Sequence, residues 1–298
     1  MRRRRKGNLV RAIGAVFLLL SLLVGWVGYR PGKFLEGFAA NISTSLAGIA
    51  ITVLIIDYLN ERWREEIESQ RLKSQLIREM GSPDSGIALR AVQELSASGF
   101  LTDGSLVEAN LGNANLARAD LKGANLQRAN LSGAKLQWAK LSSANLQYAD
   151  LQWADLTSAD LNWADLRGAE LRGANLREAK MDIVKLSEAD LRSADLSKTV
   201  LTSVDLSGAN LREANLSGTL FFETNLKQAC LFDANLDTAT LNKCDLTGAQ
   251  IENRQLKQVR SLAYTILPDG TKHGEKMLLT VPKYKDTRQK TNHQSRVL

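Results

Sequence analysis

The chain has 298 residues, a formal net charge of +7 at pH 7 and only two cysteines, Cys230 and Cys244, which excludes a disulfide framework and offers no metal-ligand spacing. The positive balance belongs to the two ends: residues 1–11 and 251–298 carry +6 each, whereas residues 106–250 hold 15 basic and 18 acidic side chains, which excludes a uniformly basic nucleic-acid-binding body. Both histidines, His273 and His293, lie near the C-terminal end and there is no Walker or Gly-x-Gly-x-x-Gly motif, so neither an enzyme nor a cofactor or metal is expected.

The chain opens MRRRRK and then runs apolar over residues 12–29, about the length of one membrane helix. Trp26 and Tyr29 sit at its far end as interfacial aromatics do. A polar turn, Arg30-Pro31-Gly32-Lys33, leads to a second and less apolar run over residues 38–56. A cleaved signal peptide would share the basic start. This core is long, however, no small-x-small cleavage site stands out, and a second run comes at once. The two runs are therefore expected to form a transmembrane helical hairpin, residues 1–58, in the lipid bilayer of a bacterial inner or other internal membrane. The stripe Ala40, Thr44, Gly48 and Thr52 could pack on the first helix. Basic residues before the first span keep the N-terminus cytoplasmic, and two spans return the chain to the cytoplasm.

Residues 59–103 read as a helical connector. Good helix formers fill residues 59–80, and Gly81-Ser82-Pro83 breaks that helix. Ser82 as N-cap and Pro83 at the first helical position predict a second helix, with Ile87, Ala88, Ala91, Val92 and Leu95 on one face. That helix is the expected lid on the domain C-terminal to it.

From Leu106 to Leu246 a leucine, or once Met181 and once Phe221, recurs at every fifth position, 29 times without a skip. Two residues before each centre stands a small residue, usually alanine, and between them most often an Asn or Asp. In extended chain, residues two apart share a face, so the small residue and the leucine point one way and the Asn or Asp the other. A helix would rotate the leucines by about 140° per unit and scatter them. Each unit is thus a short extended piece and a corner, and the chain winds into a solenoid with leucine and alanine inside. None of the leucine-type or small-residue positions is charged, against about 14 expected by chance at 24% charged residues.

Runs such as ANLARADLKGANLQRANLSGA resemble the pentapeptide-repeat proteins, over about residues 104–256. The resemblance implies a mainly β fold: a right-handed, four-sided parallel β-helix of about seven coils, here preceded by two transmembrane helices and a helical connector. Arg254 falls on a small-residue position, so the regular coil is expected to end near residues 249–256. Residues 257–298 are then a cap, built on Leu262, Tyr264, Ile266 and Leu267, and a basic tail that reads as disordered beyond Pro282.

With four units per coil, residues 20 apart form columns. Asp120, Lys140, Asp160 and Lys180 alternate in sign, and Arg172, Arg192 and Arg212 make a like-charged ladder with Glu170 and Asp190 beside it. Trp138, Tyr148, Trp153 and Trp163 all occupy the second corner position, on four different sides. These aromatics and the three arginines are the candidate surface for a protein partner. The expected function is a non-enzymatic, membrane-anchored interaction or scaffold module. Some proteins of the resembled family protect DNA gyrase by imitating DNA. The near-balanced charge disfavours that alternative, and no nucleic acid is expected as partner. A third reading gives the hairpin itself a sensing or assembly role in the bilayer.

Overall fold

The computed structural model describes residues 35–274 and the pairs 15–16, 19–20 and 22–23, with side chains from residue 44 onward in the first long helix. The chain divides into two compact units at Ser74/Gln75. The first apolar run and its turn lie outside the described residues, apart from those three helical pairs.

In the first unit, α1 (Leu35–Met80) is one continuous helix of 46 residues. It carries the second apolar run and the first part of the connector without a break. One helix among the described residues, Thr44–Met80, is long and apolar enough to cross a membrane by length and composition. Ala50 is fully buried, and Leu46, Ala47, Val53, Leu54 and Asp57 beside it are half-buried. Thr44, Gly48 and Thr52 lie on the exposed side instead. These three belong to the small-residue stripe, whose expected partner helix lies outside the described residues, and a Cβ on Gly48 would meet nothing within 4 Å. The bulkier aliphatic face is the covered one.

The second unit starts with a lid. Leu76 and Met80 from the last turns of α1, and Ala88, Ala91, Val92 and Leu95 from α2 (Ser85–Ala97), join one core with Leu106 and Leu111. The lid thus draws on two helices, not one. The N-cap is Asp84 rather than Ser82: its carboxylate accepts the Ile87 N–H at 3.0 Å, and Pro83 precedes the helix. Ser82 serves elsewhere, because its carbonyl accepts the Asn115 N–H at 2.9 Å. Ile87, expected on the packed face, is 42% exposed.

The solenoid rests on a 20-residue step. Parallel bridges join Asn110 to Asn130, Asn115 to Lys135, and so on at that interval. The backbone N–H groups of one unit can be traced individually. The Lys140 N–H goes back one coil to the Ala119 carbonyl, and the Leu121 N–H goes forward to the Lys140 carbonyl. The Gly123 N–H reaches the Ser142 carbonyl one coil on, and the Ala124 N–H closes the corner on the Leu121 carbonyl. Inside, the leucine-type positions from Leu106 to Leu246 and the small positions from Ala109 to Cys244 are all buried. Where threonine takes a small position its hydroxyl finds a carbonyl: Thr219 and Thr199 donate to Leu196 O, and Thr224 to Leu201 O.

One side of the coil differs. There β1 (Lys180–Asp182), β2 (Val200–Thr202), β3 (Leu220–Phe222) and β4 (Thr240–Asn242) form a four-stranded parallel sheet in that order. Their outward first residues are Lys, Val, Leu and Thr, four coils in succession without the usual Asn or Asp. On these four coils the ladder runs two residues further, into the corner.

The five-residue rule stops at Arg254, but the coil does not. A short helix, α3 (Asn253–Leu256), inserts one residue, so the next bridges join Thr240 to Ser261 and Asp245 to Ile266, 21 apart. The slip turns Arg254 out to Asp233 at 3.0 Å and places Gln255 inside. The buried Gln255 amide donates to the Leu231 and Ala234 carbonyls at 2.6 and 2.8 Å. Thr265 then fills the small position above Cys244, donating to Leu241 O and accepting the Cys244 N–H. The segment expected to be only a cap thus adds a further part-coil before the turn at Pro268-Asp269-Gly270. The tail beyond Gly274 lies outside the described residues.

Because the leucines fill one continuous core, Leu161→Ala should lower unfolding free energy by about 2–5 kcal/mol in a denaturant titration. An unchanged midpoint would contradict the register.

Candidate functional site

Four of the five N–H groups in a unit have backbone partners. The remaining one belongs to the first corner residue, and where the outward residue is Asn or Asp its side chain accepts it. Ser132 N–H donates to Asn130 Oδ1 at 3.0 Å, Gln152 N–H to Asp150 at 3.0 Å and Thr157 N–H to Asp155 at 3.0 Å. These are Asx turns, for which a short side chain with a planar acceptor is needed. The side chains also reach up and down the column, as in Asn130 to Asn110 at 3.2 Å and Asn225 to Asp205 at 2.9 Å. The outward acids are consequently structural parts of the corner, a role that the alternation alone does not disclose.

The second corner residue has a positive φ throughout, 57° at Trp138, 56° at Tyr148, 59° at Trp153 and 66° at Trp163. With the i→i+3 bond from the small residue, this resembles a type II turn, in which glycine fits best and other residues are strained. The four aromatics are all more than one-third exposed, from 50% for Trp163 to 64% for Trp153. The 20-residue step puts them on four separate columns, so they encircle the coil and do not converge.

Their neighbours divide them. A Cβ on Gly168 would lie 2.6 Å from the Tyr148 ring, and a Cβ on Gly173 would lie 2.3 Å from the Trp153 ring. Each ring thus covers the corner glycine one coil later, in space that only glycine leaves. Trp138 instead faces the preceding coil, with the Arg118 guanidinium 5.4 Å from its ring centroid. The signal is present in the sequence as aromatic-glycine pairs 20 apart, at 148/168 and 153/173, and only the coil length makes it readable.

Arg172, Arg192 and Arg212 stand one above another on the first corner position, and the acids beside them hold two of the three. Asp190 takes Arg192 in a forked pair, with Nε 2.8 Å and Nη2 2.5 Å from its oxygens. Arg212 lies 3.6 Å from Glu213 and 3.9 Å from Asp233. Asp165 and Arg167 repeat the forked pair on another side. The Lys140 ammonium meets Asp120 at 3.0 Å, as the alternating column requires. Exposed pairs of this kind are worth about 0–1 kcal/mol each.

These contacts bias the carboxylates. The hydrogen bond from Arg192 holds Asp190 below the usual carboxylate range. Burial pushes Asp155 and Asp165 up, but Thr157 and Gln137 at the first, and Arg167 at the second, outweigh it and leave both lowered. Burial pushes the Cys244 thiol up to about 12. Among the described residues no group of three or more His, Cys, Asp or Glu side chains is placed to hold a metal ion.

One further surface feature is apolar. Beside the long strands, Val200 is 46% and Ile183 40% exposed, with Leu220 and Phe222 half-buried next to them. Phe232, on another column, is 38% exposed.

A buried leucine-alanine column, a 20-residue parallel step and an Asx-closed corner in each unit define a β-solenoid built from five-residue repeats. Pentapeptide repeats match over residues 105–142, 134–173, 144–182, 184–218, 199–237 and 219–253. HetL, a pentapeptide repeat protein involved in heterocyst differentiation regulation from the cyanobacterium Nostoc sp. strain PCC 7120, is 37% identical over 56% of this chain and 76% of its own, with a TM-score of 0.55. QnrB1, a plasmid-mediated fluoroquinolone resistance protein, is 22% identical over 48% of this chain and 76% of its own, with a TM-score of 0.42. A pentapeptide repeat protein of the Arabidopsis thaliana thylakoid lumen is 26% identical over 45% and 72%, with a TM-score of 0.20. Comparison with curated protein sequences gave no match. The chain belongs to the pentapeptide-repeat family.

The corner glycines differ in what surrounds them, and the difference is measurable. Gly173 and Gly208 share a φ near 65°, yet the nearest atom to a new Cβ is 2.3 Å away at Gly173 and 3.7 Å away at Gly208. Gly173→Ala should therefore cost about 1–3 kcal/mol more than Gly208→Ala, and adding Trp153→Ala should remove the excess. Equal costs would mean that the ring does not rest there. As for pH, a carboxylate lowered in the folded state stabilises it above the unfolded pKa and loses that contribution as pH falls through the folded value. Melting temperature should be flat near neutrality and decline below about 3.8, the ordinary aspartate value; Asp155→Asn and Asp190→Asn together should flatten the decline.

Proposed function

We propose that this protein is a membrane-anchored interaction module that displays its pentapeptide-repeat coil on the cytoplasmic side and binds a protein partner through outward side chains. The observation that carries the reading is the division of labour in the repeat. Inward positions are spent on packing and outward acids on closing corners, which leaves the corner side chains to vary. Among these, exposed aromatics and arginines are the groups that dominate protein interfaces. Trp138 and Arg172 are the favoured contacts, with Trp163 added as a further exposed corner ring; Tyr148 and Trp153 lie over corner glycines, Arg192 is held by Asp190, and Arg212 lies within 4 Å of Asp233. The family generally acts as a structural or protein-binding module without catalysis, and the similarity to HetL, a protein described by its part in differentiation regulation, agrees with a regulatory role.

Membrane attachment is supported by α1. Its apolar part exposes Ile49, Ile51, Ile55 and Ile56, the surface a helix presents to lipid. The basic start of the chain supports the cytoplasmic orientation. Imitation of DNA is the weaker reading. Fifteen basic residues stand among the 18 acidic ones in residues 106–250, and many of those acids already serve as corner acceptors.

The full-length protein should remain in the pellet after alkaline carbonate extraction, and protease should reach the repeat only from the cytoplasmic face. Release into the supernatant would overturn the anchor. Independently, Trp138→Ala with Trp163→Ala should abolish in-cell cross-linking to the partner without lowering the melting temperature, and full retention of that cross-link would overturn the assigned surface.

A further inference from the structure

The charge of the coil is not even along its length. Residues 106–145, the first two coils, hold five basic and two acidic side chains, a net +3. Residues 146–250 hold ten basic and 16 acidic side chains, a net −6. Four of the five early cations share two adjoining sides. Lys135 and Lys140 are the outward residues of those sides in the second coil, and Trp138 stands at the corner between them. Arg118 and Lys122 lie one coil earlier, at the same corner and on the Lys140 side. The fifth cation, Arg128, is 3.6 Å from Glu108 at another corner.

All four cations and the ring are exposed, and the coil leaves most of their charge uncompensated. Asp120 is the one acid on these sides of the two coils, and Lys140 meets it at 3.0 Å. That hydrogen bond, with the charge of Lys122 behind it, holds Asp120 below the usual carboxylate range. Asp155 follows Lys135 in the ladder, yet its oxygens accept from the Gln137 amide at 2.6 Å and from the Thr157 hydroxyl. Among the described residues no carboxylate lies within 4 Å of Lys122, Lys135 or Arg118, whose guanidinium stands over the Trp138 ring instead.

The patch is also short. On the same two sides the third coil presents Asp155 and Asp160, one step of ~4.8 Å from Lys135 and Lys140. That step is within a Debye length of about 8 Å. A ligand that is anionic along the whole coil, such as a bilayer surface or a duplex, is therefore repelled once it passes the second coil. A short acidic segment is not. The exposed ring among the cations adds a second demand, an apolar side chain among the carboxylates.

We propose that the partner offers this corner a short acidic segment with an apolar residue among its carboxylates, an inference that rests on the coil being a protein-binding module. The apolar residue lies on Trp138, and the carboxylates meet Lys122, Lys135 and Arg118.

Full-length protein in phosphatidylcholine nanodiscs would be titrated with a fluorescein-labelled peptide in which glutamates flank a central leucine, followed by anisotropy. Binding should weaken as salt rises, and several-fold with Lys122→Gln and Lys135→Gln together. Arg177→Gln with Lys198→Gln, which removes the same charge from later coils, should leave it unchanged, and every variant should keep the wild-type melting temperature. Trp138→Ala should weaken the leucine peptide but not a peptide with serine in its place. Equal losses in the two double variants, or an oligothymidylate or phosphatidylglycerol vesicles bound as tightly through the same lysines, would overturn the proposal. No peptide binding, with the cellular cross-link still dependent on Trp138, would overturn the acidic partner and leave the interaction module standing. A cross-link indifferent to Trp138 would overturn both.

Discussion

One N–H per unit has no backbone partner, and the architecture depends on where it goes. A five-residue unit in a stacked coil sends three N–H groups to the neighbouring coils and one across its own corner. The fifth, on the first corner residue, lies at the surface of the coil, where a side-chain acceptor replaces water. Asn or Asp two residues earlier accepts it. Where Asn or Asp stands in the repeat it therefore has a structural task, although it faces solvent. Lys135, Lys140 and Lys185 keep the ordinary corner without it, so the acceptor satisfies the corner N–H where it is present but does not decide where the corner falls.

That requirement alters how the surface charge is read. An acid at every fifth residue suggests a polyanionic rod when counted as charge. Counted as hydrogen-bond acceptors, Asp150, Asp155, Asp165 and Asp190 are each occupied by a corner N–H. Asn does the same work at Asn130 and Asn145 without any charge. Asp and Asn are interchangeable as acceptors, so the balance between them is free to be set by something other than folding. In this chain it is set near neutrality by interspersed lysine and arginine.

The core was fully legible because leucine at a fixed spacing of five admits one geometry, and burial comes from it residue by residue. The corners were legible only in part. Gly168 and Gly173 read as backbone freedom, but the rings of Tyr148 and Trp153 over them depend on a coil length that the spacing of the leucines does not contain. The C-terminal end misled for a similar reason. Arg254 on a core position does mark a break, yet a one-residue insertion repairs the register by bringing in Gln255, whose amide meets two carbonyls. Pattern arguments see the violated position and not the neighbour that replaces it. The lid shows the same limit: Ser82-Pro83 is a plausible helix start, but Asp84 caps the helix and frees Ser82 to bond the first coil.

The aromatic corners bear most directly on function, and packing separates them. A tryptophan in the left-handed region is doubly disfavoured, by its backbone and by its exposure. Trp153 recovers part of that through contact with Gly173, and Tyr148 through Gly168. Trp138 gains a cation–π contact of about 0.5–1 kcal/mol at an exposed site, which glycine or asparagine at the same corner would not need. Tyr148 and Trp153 are thus accounted for by the coil itself, whereas Trp138 keeps backbone strain and exposed apolar area that its contact with Arg118 offsets only in part. This weights Trp138 and its column within the partner surface proposed above.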